Sequence, residues 1–141
     1  MRAFLLQDGV WIETTFDPST DVTRAQLAAA TTAHPELIVE AARRGASVTT
    51  VTLSAEQAAL AQERVDSAGV GDLVEIRLQD YREVAGSYDA VVSVEMVEAV
   101  GEEYWPTYFA ALDRLLAPGG VAAIQAILMT HDRYLATRNS Y

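Results

Sequence analysis

The 141-residue chain contains no cysteine. That excludes a disulfide framework, a thiolate metal site and a cysteine nucleophile. It contains no lysine either. Its ten basic residues are all arginines, scattered among twenty acidic ones, for a formal net charge of −10. Without a basic patch, binding to a nucleic-acid phosphate backbone is not expected, nor is adhesion of this chain by charge alone to an anionic membrane. The only histidines are His34 and His131, and no His/Asp/Glu cluster has metal-ligand spacing. Long apolar runs are missing as well. The opening MRAFLLQDGV is too short for a signal peptide and lacks its cleavage pattern. The longest apolar stretch, Val121 to Met129, is interrupted by Gln125 and cannot span a bilayer. A Ser-centred elbow and a P-loop are absent too. These absences lead to the expectation of a cytoplasmic protein without metal.

What is present is half hydrophobic, enough for one domain with a core. The patterning divides the chain at His34, with a poorly patterned segment before it and alternating helix and strand from Pro35 onward. PELIVEAARR reads as a helix, with Pro35 suited to its first position and Gly45 after its last turn. LAAAT, ahead of it, reads as a poor strand. Ser47 to Leu53 is β-branched and reads as a strand. Ser54 with Gln57 forms a capping-box pattern that opens a helix reaching about Ala68. Leu73 to Leu78 alternates as a half-exposed strand does. Tyr88 to Val94 is nearly continuous apolar, as in a strand covered on both faces. Phe109, Leu112, Leu115 and Leu116 place an apolar stripe on a helix ended by Pro118-Gly119-Gly120. Val121 to Met129 reads as a further buried strand. Such alternation indicates an α/β domain with a mainly parallel sheet.

In open sheets of this kind ligands bind beyond the carboxyl ends of the strands. Those ends carry Thr52, Leu53, Ser54 and Gln57, then Gln79, Asp80 and Tyr81, then Glu95 and Glu98, and last Gln125 and Ile127. Carboxylates, amides and an aromatic so placed can hold a nucleoside with an amino-acid tail. About half of such polar residues only cap helices and close turns.

The segments VTTVTLSAEQAALAQERV, LQDYRE and YDAVVSVEMVEAVGEEYWPTYFAALDRLLAPGG resemble the middle of the cyclopropane fatty-acid synthase family, S-adenosylmethionine-dependent methyltransferases. The TLS-x-x-Q segment and VE-x-VG followed by YW-x-x-YF carry the resemblance, which covers about Pro35 to Tyr141. It implies a Rossmann-like class I methyltransferase fold, here incomplete, with a degraded N-terminal segment at 1–34 and a partial methyltransferase domain at 35–141. It implies that Thr52, Leu53, Ser54 and Gln57 hold the ribose and its surroundings. Adenine would pack on Tyr81, with Asp80 as acceptor for its amino group, and Glu95 joins this cofactor set. Glu98 would help hold a bicarbonate ion beside the reacting carbons, with Gln125 and the backbone of Ile127. Many relatives have histidine at position 125. Glutamine still donates and accepts hydrogen bonds but does not titrate near neutral pH. The glutamine form resembles the branch that makes methyl- or methylene-branched fatty acids. The acidic surface also suits a cationic sulfonium.

The resemblance fails at particular places. The family's glycine-rich turn, E-x-G-x-G-W-G-like, aligns with Leu27 to Leu37, where Thr31, Ala33 and Pro35 stand at the glycine positions. Side chains there crowd the methionine part of the cofactor, and proline removes an amide donor. Trp11 to Pro18 lies where the family closes over the cofactor, and only Phe16 matches. The acyl-binding lid, with a tyrosine of the bicarbonate site, is expected beyond Tyr141.

The reading is S-adenosylmethionine-dependent methyl transfer to the double bond of unsaturated phospholipid acyl chains. The product is a cyclopropane ring or a methyl or methylene branch. Peripheral contact with the inner face of the membrane is compatible with such a substrate. The alternatives are a non-catalytic remnant or interaction domain, and a small-molecule methyltransferase of the same fold.

Overall fold

The computed structural model describes residues 3–7, 10–14, 26–30, 34–127, 130, 132 and 133. Five parallel strands form one sheet: β3 (Gln26–Ala30), β4 (Ser47–Thr52), β5 (Val74–Leu78), β6 (Tyr88–Val94) and β7 (Leu116–Gln125), in the spatial order β5-β4-β3-β6-β7. The chain moves outward from β3 through β4 to β5, then returns to the other side of β3 for β6 and β7. This reversal is that of a Rossmann-like sheet, and it puts the ligand crevice over the carboxyl end of β3. Helices α1 (Pro35–Arg43), α2 (Ala55–Ala68) and α3 (Trp105–Leu115) make the crossovers that are helical. The β5-to-β6 connection instead uses a short 3₁₀ turn, Tyr81–Glu83. A separate antiparallel pair, β1 (Ala3–Gln7) and β2 (Val10–Thr14), precedes the sheet.

Strand β6 shows why the sheet is covered twice. Val91 belongs to a buried cluster with Val84, Tyr88, Tyr108, Leu112 and Leu115 on the α3 side. Its neighbours Ala90 and Val92 pack on the opposite cluster of Ile38, Val39, Ala42, Val48 and Val65, under α1 and α2. Alternation along a strand sends successive side chains to opposite faces. A continuous apolar run is therefore the pattern that two covered faces require.

Four expectations are corrected. LAAAT is not a failed strand: Gln26–Ala30 is β3, in the middle of the sheet, with a ladder to β4 on one side and β6 on the other. Pairing on both edges outweighs the weak propensity of small residues. The buried stripe of α3 is Tyr108, Ala111, Leu112 and Leu115, while Phe109 is exposed and Leu116 already belongs to β7. The Pro118-Gly119-Gly120 run does not end the helix. It lies within β7, beside a register irregularity against Tyr88–Ala90 of β6. A Cβ on Gly120 would come within 2.9 Å of the Ala117 carbonyl oxygen and 3.1 Å of those of Tyr88 and Asp89, so glycine lets β7 approach β6 there. Nor is β7 buried. Among the described residues it is an edge strand, and Val121 and Ile124 are exposed.

Pro35 opens α1 as its first residue, and Gly45 (φ 90°) closes it in a conformation that suits glycine. Thr31, Ala33, Phe16 and His131 lie outside the described residues. Among the described residues, no helix is long and apolar enough to cross a membrane, and no His/Asp/Glu group of metal-binding size occurs.

Candidate active site

Because the strands are parallel, the ends of β4, β5, β6 and β7 fall along one edge of the sheet, and every candidate residue from the sequence lies there. At the β4 end a small ring of hydrogen bonds joins three of them. The Thr52 hydroxyl donates to Gln57 Oε1 (2.7 Å) and accepts from the Ser54 amide (3.1 Å). Ser54 Oγ accepts from the Gln57 amide (3.2 Å), which makes Ser54 the cap of α2, and donates to Glu56 Oε2 (2.8 Å). The Glu56 carboxyl is held below its usual range by its own backbone amide and by this hydroxyl. The ring differs from a capping box in one bond: Gln57 reaches Thr52 rather than the Ser54 amide. Its Oε1 is occupied, which leaves Nε2 as the donor that this turn presents to a ligand. Leu53 is 77% exposed beside it.

The β5 end is tied to this turn by the Gln79 amide, which donates to the Thr52 carbonyl (3.0 Å). Asp80 caps the following 3₁₀ turn by accepting from the Arg82 amide (2.9 Å). The same carboxylate is gripped by the Arg82 side chain, Nε to Oδ1 at 2.9 Å and Nη2 to Oδ2 at 2.5 Å. The guanidinium holds the Asp80 carboxyl below the usual carboxylate range, and Asp80 in turn raises Arg82. Asp80 is mostly covered, with 18% of its side chain exposed, against 57% for Arg82. Tyr81 is half-buried, and its ring meets that of Tyr108 edge-on at 6.1 Å.

The β6 and β7 ends form a second group. Glu95 is the one non-glycine residue with positive φ (52°) among the described residues, and its amide donates to the Gln125 carbonyl (2.9 Å). Three residues on, Glu98 Oε1 accepts a hydrogen bond from the Ile127 amide (3.1 Å). Two residues far apart in sequence, both singled out there, thus meet directly. Trp105 Nε1 donates to the Val97 carbonyl (3.0 Å) and secures the turn that carries Glu98. The Gln125 side chain is half-buried, while Ile127 is 59% exposed.

No hydrogen bond among those described joins the first group directly to the second. They are linked through buried side chains that the sequence reading did not select. The Tyr108 hydroxyl donates to Ser93 Oγ (2.8 Å), and both residues are fully buried. Arg114 of α3 donates to the carbonyls of Val84 (2.6 Å) and Arg82 (3.1 Å), holding the Tyr81 loop from behind. A polar Ser93 inside an apolar strand was the available signal, since such a residue needs a partner. Across the crevice, Pro35 offers no amide at the start of α1, and His34 makes no side-chain cap.

Residues 32–141 match the protein family described as mycolic acid cyclopropane synthetase. The chain is 61% identical over 105 residues to tuberculostearic acid methyltransferase UfaA1 of Mycobacterium tuberculosis, which is 74% of this chain and 25% of that protein. It is 46% identical over 81 residues to the cyclopropane-fatty-acyl-phospholipid synthase of Escherichia coli, 57% of this chain and 20% of that one. The chain thus spans a fifth to a quarter of the length of these relatives. Among solved structures, the mycolic acid cyclopropane synthase CmaA1, complexed with SAH and CTAB, superposes with a TM-score of 0.71 at 22% identity, over 82% of this chain and 41% of that one. At this identity the likeness is one of fold.

Proposed function

The chain belongs to the mycolic acid cyclopropane synthetase family, and from that premise we propose that it carries the nucleoside-binding and alkene-facing parts of an S-adenosylmethionine-dependent methyltransferase for unsaturated phospholipid acyl chains. The observation that carries this reading is the Ile127-to-Glu98 hydrogen bond at the carboxyl edge of the sheet. It holds a carboxylate in a fixed orientation where the parallel topology puts the ligand crevice.

The residues present fit one half of the cofactor better than the other. Gln57 Nε2 and the Thr52–Ser54 turn suit a ribose, and the half-buried Tyr81 ring suits an adenine face. Asp80 is already engaged by Arg82. It keeps lone pairs for a further donor, and its first role is to shape the Tyr81 loop. On the methionine side, Pro35 supplies no amide, so we read affinity as weak. When bound, S-adenosylmethionine supplies an electrophilic methyl group to the alkene. Glu98 offers negative charge beside a developing cation. Because Ile127 already orients it, little reorganisation is needed at that moment. Gln125 and a bicarbonate ion complete this side of the site by family resemblance.

A second reading, a chain that no longer turns over, is favoured by Pro35 at the cofactor-facing helix end. One experiment separates the two. Residues 32–141 replace the matching segment of the E. coli synthase, and the chimera is incubated with methyl-labelled S-adenosylmethionine and unsaturated phospholipid vesicles. Lipid mass spectrometry is expected to find no labelled acyl chains until glycines are restored at Ala33 and Pro35. It should then find label that Glu98→Gln largely removes. A restored chimera that binds cofactor yet leaves lipids unlabelled would contradict the proposal. Label from the unrestored one would contradict the second reading.

A further inference from the structure

Helix α3 touches both halves of the site. At its start, the Trp105 indole holds the Val97 carbonyl in the Glu98 turn. One turn later, Tyr108 bonds through its hydroxyl to Ser93, the next-to-last residue of β6, and sets its ring edge-on to Tyr81 with 64° between the planes. Near its end, Arg114 holds the Arg82 and Val84 carbonyls behind the Tyr81 loop. Tyr81 from one loop, and Met96, Val97 and Val100 from the other, pack on the same buried cluster that contains Tyr108.

Packing alone does not call for these polar atoms. Phenylalanine would fill the Tyr108 site, and alanine would suit an apolar strand at position 93. Each hydroxyl loses solvation on burial and is tolerated because it has a partner. What the pair adds is direction. A buried hydrogen bond fixes where α3 sits along β6, which apolar contacts alone specify poorly. Burial also pushes the Tyr108 phenol up, so it remains protonated and a donor at ordinary pH.

We propose that Tyr108 is a positioning residue that, through Ser93 and the ring of Tyr81, sets the nucleoside-facing loop and the Glu98 turn relative to each other. The functional meaning rests on the reading of Tyr81 and Glu98 given above; the mechanical claim does not. Residues 79–84 and 94–101 are short connections without an α-helix of their own, the first holding only the 3₁₀ turn Tyr81–Glu83, and α3 is the element they share. Losing the hydroxyl leaves Ser93 Oγ unpaired and loosens both together.

The test is hydrogen exchange read by mass spectrometry on the ligand-free 141-residue chain, so cofactor affinity does not enter. In Tyr108→Phe, exchange is expected to rise about fivefold in both 79–84 and 94–101, the effect of losing one buried hydrogen bond. Helix α2, residues 55–68, should be unchanged. In a Trp11→Phe background Trp105 is the sole tryptophan, and its emission should move to longer wavelength in the same variant. Ser93→Ala should reproduce the pattern, and the double variant should add little to either single one. Ser93→Ala reads the same segments should the tyrosine variant fail to fold. A rise in one segment without the other, or a uniform rise that includes α2, would overturn the proposal.

Discussion

The Glu98 carboxylate accepts a hydrogen bond from the Ile127 amide, so the turn after β6 and the residue beyond β7 are joined at the site rather than merely adjacent. The bond assigns different outcomes to two substitutions. Glu98→Gln keeps an acceptor of the same shape and should leave exchange of the Ile127 amide within about twofold of the parent. Glu98→Ala removes it and should raise that exchange about threefold or more, a modest effect because the bond is exposed. NMR exchange at this amide checks both. Equal exchange in the two variants would mean that the carboxylate does not hold Ile127 in solution.

Glu95 sits at φ 52° immediately after β6, where its amide meets the Gln125 carbonyl. An L residue in this region bears about 1–2 kcal/mol of strain, whereas glycine bears almost none but gives up about 0.5–1 kcal/mol through the unfolded chain. Glu95→Gly is therefore expected to stabilise by about 0.5 kcal/mol in urea unfolding. A loss of stability would show that the side chain makes a contribution larger than the strain.

The Asp80–Arg82 pair makes stability depend on pH in a defined direction. The guanidinium holds the Asp80 carboxyl below its ordinary value of 3.8. Its contribution is therefore complete above that value and is lost as pH falls through the folded-state value. Asp80→Asn should lower the melting temperature slightly near neutral pH, since Arg82 is more than half exposed and well screened. The gap between parent and variant should close as pH drops below about 3.8. A gap that is constant across pH would mean that the carboxyl acts only as a neutral cap on the Tyr81 turn.

The sequence was most legible where covering and pairing follow from local pattern. Tyr88 to Val94 could be read as a twice-covered strand because clusters on both faces need apolar residues. The Ser54 cap and the Pro35 start could be read because capping is local chemistry. Strand β3 was not legible: Gln26–Ala30 is poor in β-branched residues and owes its conformation to ladders with strands distant in sequence. The antiparallel β1–β2 pair is not among the expectations above, although the sequence between the paired Gln7 and Val10 is Asp8-Gly9, a dipeptide that signals strand pairing of this kind. Val121 to Met129 has the apolar pattern of a buried strand, whereas among the described residues β7 lies at the edge of the sheet with Val121 and Ile124 exposed. At the site, residue positions were legible from the strand ends, but the engagement of Asp80 by Arg82 and the Tyr108–Ser93 link depend on tertiary geometry that no spacing encodes.

The turn before α1 yields a further expectation. Thr31, Ala33 and Pro35 together should weaken S-adenosylhomocysteine binding, so replacing all three by glycine should tighten it about tenfold, and Gln57→Ala should weaken whatever binding remains about fivefold by removing one hydrogen bond. Calorimetric titration of the parent and the two variants checks this. Tight binding by the parent, unchanged by either substitution, would refute both the crowding argument and the role of Gln57.

The central claim, that the nucleoside of an S-adenosyl ligand sits at the carboxyl ends of β4 and β5, is tested most directly by titrating S-adenosylhomocysteine into the ¹⁵N-labelled chain and following amide shifts, which register even weak binding. The account expects saturable shifts at Thr52, Leu53, Ser54 and Gln57 and from Gln79 to Arg82, with little change at Ser47, Asp72 and Gly86, which line a groove at the other end of these strands. Shifts confined to that opposite groove, or none at all once glycines have been restored at Thr31, Ala33 and Pro35, would contradict it.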